Sequence, residues 1–267
     1  MSEPIQDRRV IPSTLTHTHA AASNEYRPVA VMPDVRVVKI GGQSIMDRGR
    51  DALFPILDEV IEARKRGIQV VLLTGGGTRA RHIYTIASEL DMPTGVVATL
   101  GKYIPMQNAR MVQMLLAKHG GIYIMPDDFE KLPLYLQLGC IPVMSGMPPF
   151  GYWEKHQGDS RIPPHRTDAG VFLSCEFLGA KRAIFIKDED GLYTDDPKKN
   201  PQATHIPRIT AKELIDRDLP DVVVERVVVE YLPRSRWCKE VQIVNGLKPG
   251  QVLAALEGQD VGTIITA

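Results

Sequence analysis

The stretch from Val35 to Ser44, Val-Arg-Val-Val-Lys-Ile-Gly-Gly-Gln-Ser, limits the fold of this chain more than any other segment. Its first half is β-branched and mostly apolar, as in a strand buried on both faces of a parallel sheet. Two adjacent glycines follow, where the backbone can come close to another group. A strand that ends in Lys39 and turns through Gly41 and Gly42 makes a phosphate cradle, because successive N–H groups can point at one anion while the lysine adds a full positive charge. The turn is not a P-loop, since no Gly-Lys-Ser or Gly-Lys-Thr follows, and it is not the Gly-x-Gly-x-x-Gly dinucleotide fingerprint. Taken alone it also describes an ordinary buried strand that ends in a lysine and a glycine turn.

The next segments repeat the pattern. Asp51 to Arg66 puts Leu53, Ile56, Leu57, Val60 and Ile61 on one face of a helix that Gly67 ends, and Ile68 to Thr74 reads as a second buried strand. That strand runs into Gly75, Gly76 and Gly77, so two glycine turns fall at the carboxyl ends of two strands, the edge where open parallel sheets bind ligands. Arg79 and Arg81 follow and could balance phosphate charge; a solvated helix start accounts for them equally well. His82, and His156 further on, are weak metal-ligand candidates, with packing or solvent exposure as the plainer account.

Further along, Gln107 to His119 reads as a helix, Gly121 to Met125 and Cys140 to Ser145 as strands, and Leu132 to Leu138 as helical. The Pro- and Gly-rich stretch from Pro148 to Pro164 is a long loop. A helix over Ala169 to Leu178 follows, for which Thr167 or Asp168 could serve as N-cap. Lys181 to Lys187 is a third strong strand, and Val241 to Asn245 and Gly262 to Thr266 are the last two. Strands alternate with helices, which predicts an α/β fold: a mainly parallel central sheet with helices on both faces, in three layers. Residues 1–33 carry no period and several prolines, and are expected to form an arm that contacts neighbouring subunits through groups such as Val29 to Met32, outside a domain spanning 34–267.

Composition limits the partners. The 32 basic and 32 acidic residues among 267 cancel, so any anion site must be local, and neither nucleic acid nor an acidic membrane is implied. No apolar run nears the roughly 20 residues a membrane span needs. The three cysteines, Cys140, Cys175 and Cys238, lack metal-ligand spacing and read as reduced core residues of a cytoplasmic protein.

Lys39 with Gly41-Gly42, then Gly75 to Gly77, Thr167-Asp168, and Lys187 followed by Asp190-Gly191-Leu-Tyr193-Thr-x-Asp196-Pro197 resemble the amino acid kinase family and, within it, the uridylate kinase-like branch. The resemblance spans about residues 34–267. It implies that Lys39 and Lys187 neutralise a transferring phosphoryl group and that Asp168 orients them. It also implies that Gly41, Gly42, Gly75, Gly76, Gly77, Asp188, Gly191, Tyr193, Asp196, Pro197 and Lys198 receive ATP, with Mg²⁺ riding on the triphosphate. The acceptor half departs from uridylate kinases: Thr78 replaces an asparagine, Leu100-Gly101-Lys102-Tyr103 replaces a Gly-Asp pair, and a long insertion ending Arg161-Ile-Pro-Pro-His-Arg166 replaces a short loop. With these features the chain is similar to the molybdenum storage group of the family, nearer its β-type chains. The resemblance therefore implies an ATP-binding, hexameric cage that pairs this chain with a homologous α-type subunit and holds molybdate or tungstate clusters as cargo. A uridylate kinase-like phosphotransferase is the alternative.

Overall fold

Strand β1 (Arg36–Ile40) sends alternate side chains to the two faces of a sheet, and that parity organises the molecule. Val37 joins Val71, Leu73, Ala183, Phe185 and Ile243 in one apolar core, whereas Val38 and Ile40 join Val70, Leu72, Ile184 and Ile186 in another. The structure is a computed structural model that describes residues 29–156, 158–219 and 222–267.

Eight strands form the sheet in the order β3-β4-β2-β1-β5-β9-β10-β8. They are β1, β2 (Val70–Thr74), β3 (Gly121–Tyr123), β4 (Ile141–Ser145), β5 (Arg182–Lys187), β8 (Arg208–Thr210), β9 (Glu240–Asn245) and β10 (Thr263–Thr266). All pairings are parallel except that of β10 with β9. A separate two-stranded ribbon pairs β6 (Leu192–Tyr193) with β7 (His205–Ile206). Helices α1 (Arg50–Lys65), α3 (Thr94–Leu115) and α8 (Gln251–Leu256) cover the Val38 face; α5 (Thr167–Leu178), α6 (Ala211–Arg217) and α7 (Arg226–Tyr231) cover the Val37 face. This is the three-layer, mainly parallel arrangement that the alternation of strands and helices predicts. Helix α2 (Gly77–Glu89) packs beside α3, and the short α4 (Leu132–Gln137) packs against β4.

One expectation needs correction. The helix expected over Gln107 to His119 is, up to Leu115, the second half of the 22-residue α3, which begins at Thr94 and carries Pro105 in its interior, while Ala117–His119 is a separate 3-10 turn. The segment Val29 to Met32 also touches its own domain: the Met32 amide donates to the Leu178 carbonyl at 2.6 Å, and Ala30 lies against Gly179 at the end of α5. Val29 and Val31 stay exposed there. The remainder of the expected arm, residues 1–28, lies outside the described residues. The three cysteines are free, with Cys175 and Cys238 buried and Cys140 partly so.

Candidate functional site

Lys39 shares its parity with Val37, so the face that binds α5 also receives the lysine side chain. Lys187 follows Phe185 by two and projects to the same face. The register sets Lys39 beside Phe185, which places Lys187 two residues nearer the carboxyl edge, about 7 Å along the strand. Helix α5 begins at this edge and brings Asp168 between the two lysines. Lys39 Nζ donates to Asp168 Oδ1, and Lys187 Nζ lies 3.8 Å from Oδ2. The side chains of Lys39 and Asp168 are each 6% exposed and that of Lys187 16%, so three charges face one another with little water between them. Burial alone pushes the Asp168 carboxyl up, but Lys187 and Lys39 outweigh it and bring it down to about 2. Asp168 is therefore ionised throughout the neutral range.

Asp168 does not cap its own helix. The Glu225 carboxylate, 57 residues later, accepts the amides of Arg166 at 3.0 Å, Asp168 at 3.1 Å and Ala169 at 3.1 Å. In return the Glu225 amide donates to Asp168 Oδ2 at 3.0 Å. Burial, followed by the neighbouring Asp168 charge, pushes the Glu225 carboxyl up.

The two glycine turns meet edge to edge. A Cβ on Gly42 would stand 2.1 Å from the Gly77 nitrogen, so no side chain fits between them. Gly77 has φ +71°, a conformation that glycine adopts without strain, and a Cβ there would also run into the Asp47 carboxylate. Asp47 Oδ2 accepts the Thr78 amide at 2.7 Å and so caps α2. The helix start that faces the site therefore follows the second glycine turn; after the first comes only a short 3-10 turn, Met46–Arg48.

These parts enclose a cavity of about 1050 Å³ on the carboxyl edge of the sheet. Of the residues expected from sequence, Lys39, Gly42, Gly75, Gly76, Gly77, Asp168, Asp188, Lys187, Gly191, Tyr193, Asp196, Pro197 and Lys198 all line it. Gly41 sits behind the wall, its amide bound to the Ile186 carbonyl at 3.1 Å. Asp190 is likewise a structural tie, taking Asn245 Nδ2 at 2.9 Å and Lys248 Nζ at 2.6 Å. On the opposite rim Asp188 pairs with Arg48 at 2.5 Å and with Lys198 at 3.4 Å, while Lys198 reaches Glu189 at 2.7 Å. Arg81 reaches the cavity. Arg79 instead bonds Asn108, whose amide holds the Gly75 carbonyl at 2.6 Å, so Arg79 braces the glycine turn from behind.

Sequence reasoning missed Asp47, Arg48, Tyr84, Arg166 and Glu225, all of which line the cavity. Burial pushes the Tyr84 hydroxyl up to about 12, so it stays neutral, and it donates to Met147 Sδ at 3.8 Å. Its ring presses on Gly101, where a Cβ would lie 2.1 Å away. Among the described residues no group of three or more His, Cys, Asp or Glu side chains is placed to hold a metal ion. His82 is exposed on α2 and His156 is exposed in the insertion, each without a ligand set around it. No helix among the described residues is long and apolar enough to cross a membrane.

Known proteins share this fold and much of this sequence. The amino acid kinase family model matches residues 34–226. The chain is 48% identical over 248 residues to the molybdenum storage protein subunit beta of Azotobacter vinelandii, covering 93% of this chain and 90% of that protein. It is 28% identical over 239 residues to the uridylate kinase of Methanocaldococcus jannaschii, covering 86% and 98% of the two chains. Among solved structures, uridylate kinase from Archaeoglobus fulgidus superposes with a TM-score of 0.64 at 24% identity, covering 87% of this chain and all of that one. UMP kinase from Bacillus anthracis gives 0.66 at 17% identity, with coverage of 88% and 96%. At such identities these two show the fold alone. The family model and the identity to the storage subunit go further: the chain belongs to the amino acid kinase family, in its uridylate kinase-like branch, and groups there with the beta subunit of the molybdenum storage protein.

Proposed function

We propose that this chain is an ATP-binding subunit of a storage assembly for molybdenum or tungsten oxoanions, built with a homologous partner chain, in which ATP hydrolysis assists deposition of the cargo. The observation that carries the proposal is the near full-length similarity to the storage subunit, joined to an intact Lys39–Asp168–Lys187 constellation at a glycine-lined cavity.

The chemistry follows from the charges. Phosphoryl transfer leaves a protein little covalent work, so rate comes from alignment and from charge placed in advance where the transition state needs it. Gly42 and Gly75 to Gly77 let the two turns close on each other at the cavity wall where the phosphates would lie. Lys39 and Lys187 supply two positive charges that neutralise the moving group, and the ionised Asp168 holds both in place. Tyr193, Gly191 and Pro197 form the wall that takes the nucleoside. The donor set fits a Mg²⁺ carried mainly by the nucleotide's own phosphates, because no protein cage of three carboxylates is present among the described residues. When bound, that ion would neutralise phosphate charge during transfer.

The test is the metal content of the assembly, purified with its partner chain from cells supplied with molybdate or tungstate. The proposal expects molybdenum or tungsten far above one atom per chain. Background levels in the complete assembly, together with rapid ATP-dependent phosphorylation of UMP, would replace storage with the uridylate kinase reading.

A further inference from the structure

The first turn of α5 presents the amides of Thr167, Asp168 and Ala169 without intrahelical partners, since the first carbonyl-to-amide bond of the helix runs from Gly170 N to Arg166 O at 3.1 Å. An aspartate at Asp168 is well placed to take such amides itself, because aspartate is favoured near helix starts and the helix end attracts negative charge. If it did, its oxygens would leave the lysines. Something must compete with that outcome, and the structure shows the competitor: the Glu225 carboxylate already holds the Arg166, Asp168 and Ala169 amides.

We infer that Glu225 is a positioning residue that occupies the amides at the head of α5 and thereby keeps the Asp168 carboxylate turned toward Lys39 and Lys187. The inference rests on the phosphoryl-transfer reading of the site. Two further features support it. Glu225 is only 9% exposed in its side chain and lines the same cavity as the three charges. Its own amide completes the exchange by donating to Asp168 Oδ2, so each acidic side chain fixes the other's backbone. Just before it, Val224 N bonds Val222 O at 2.7 Å around Val223, whose φ is +64°. That is a three-residue turn in a region that a β-branched side chain avoids. Backbone held in this way persists where the surrounding structure dictates it, here where the chain must deliver Glu225 to the helix start. Burial and the Asp168 charge push the Glu225 carboxyl up while Asp168 is brought down, as expected for two acids of which one faces the lysines and the other the helix.

Glu225→Gln keeps the shape but turns an amide donor toward backbone N–H groups, so it should release the helix start. The full chain, with any partner chain it purifies with, is compared with Glu225→Gln by crystal structure and by steady-state ATP hydrolysis, with thermal melting to confirm folding. The expected result is an Asp168 carboxylate rotated away from Lys39 onto the freed amides. With it should come a fall in kcat on the order of 10²-fold, typical of a misplaced reacting geometry, with KM for ATP changed much less. Glu225→Asp, which retains a carboxylate, should recover part of the loss. An Asp168 still held against both lysines in the variant overturns the inference, whatever happens to the rate. If the wild-type assembly hydrolyses no ATP, the proposed turnover fails, and the position of Asp168 in the variant still decides the role of Glu225.

Discussion

At the scale of single residues, the site sets two lysines against two acids, Lys39 and Asp168 buried and Lys187 and Glu225 partly so, and position decides which acid does what. Lys39 and Lys187 were legible in the sequence because each ends a strongly apolar strand, and their meeting at Asp168 followed from the family pattern. The capping reading of Asp168 was equally legible, and the structure removes it, since Glu225 caps the helix instead. Nothing local marks Glu225, a glutamate at the head of a short valine-rich helix; only the folded chain brings it across 57 residues. Replacing Lys39 or Lys187 with methionine keeps most of the volume and removes one of the two cations that the proposed function sets on the phosphoryl group. ATP hydrolysis should fall on the order of 10²-fold for either variant, whereas unchanged turnover in both would leave them as strand-end lysines.

Asp168 also makes stability depend on pH. Its carboxyl is held at about 2 against an ordinary 3.8, so the native state favours the ionised form. The stabilisation is complete above pH 4 and is lost as pH falls from about 4 to about 2. Glu225 has the opposite sign: its carboxyl is raised above the ordinary 4.5, so its contribution weakens as pH rises past that value. Denaturant unfolding of Asp168→Asn should therefore lack part of the wild-type loss of stability below pH 4. At pH 7 it should be less stable by on the order of 3 kcal/mol, because Lys39 is left buried without its counter-charge. A variant as stable as wild type at pH 7, with the same acid limb, would show that the buried pair carries no net stabilisation.

At the scale of elements, strands were the most readable feature. β1, β2 and β5 are short, β-branched-rich apolar runs bounded by polar or glycine turns, the pattern of a strand buried on both faces, and β9 keeps most of it around a buried Gln242. The first half of α3 was hidden by Gly95, Gly101 and Pro105, which break a helical reading of the sequence, although the packed helix accommodates them: Pro105 lies inside it and its carbonyl takes the Thr74 hydroxyl at 2.7 Å. The reversed direction of β10 left no sign either, because a four-residue apolar strand reads the same both ways. The glycine turns were legible one at a time, but not their contact. Gly42→Ala tests that contact. Its Cβ would meet backbone at 2.1 Å, which neither turn can yield by side-chain rotation. The variant should lose about 1–3 kcal/mol in thermal or denaturant unfolding and bind ATP more weakly. Full stability with wild-type ATP affinity would mean that the turns can separate without consequence.

At the scale of the whole molecule, the sheet's carboxyl edge gathers the half of the cavity that the family pattern predicts from segments spread between Lys39 and Lys199. That half follows the family. The rebuilt half is where sequence reasoning stopped, because Tyr84, Arg166 and the Val223 turn owe their places to packing with Gly101, Met147 and Glu225. Partner chains and cargo lie a further step away, since a subunit surface gains meaning only in its assembly. The central claim joins the kinase-like site to storage, and uptake of molybdate by the complete assembly tests that join most directly. Metal-free assembly is incubated with molybdate, with and without Mg-ATP, and bound molybdenum is measured by elemental analysis for wild type and for Asp168→Asn. The account predicts ATP-dependent loading in the wild type and loading near the no-ATP level in the variant. Equal loading with and without ATP, or a variant that loads as well as wild type, would contradict it.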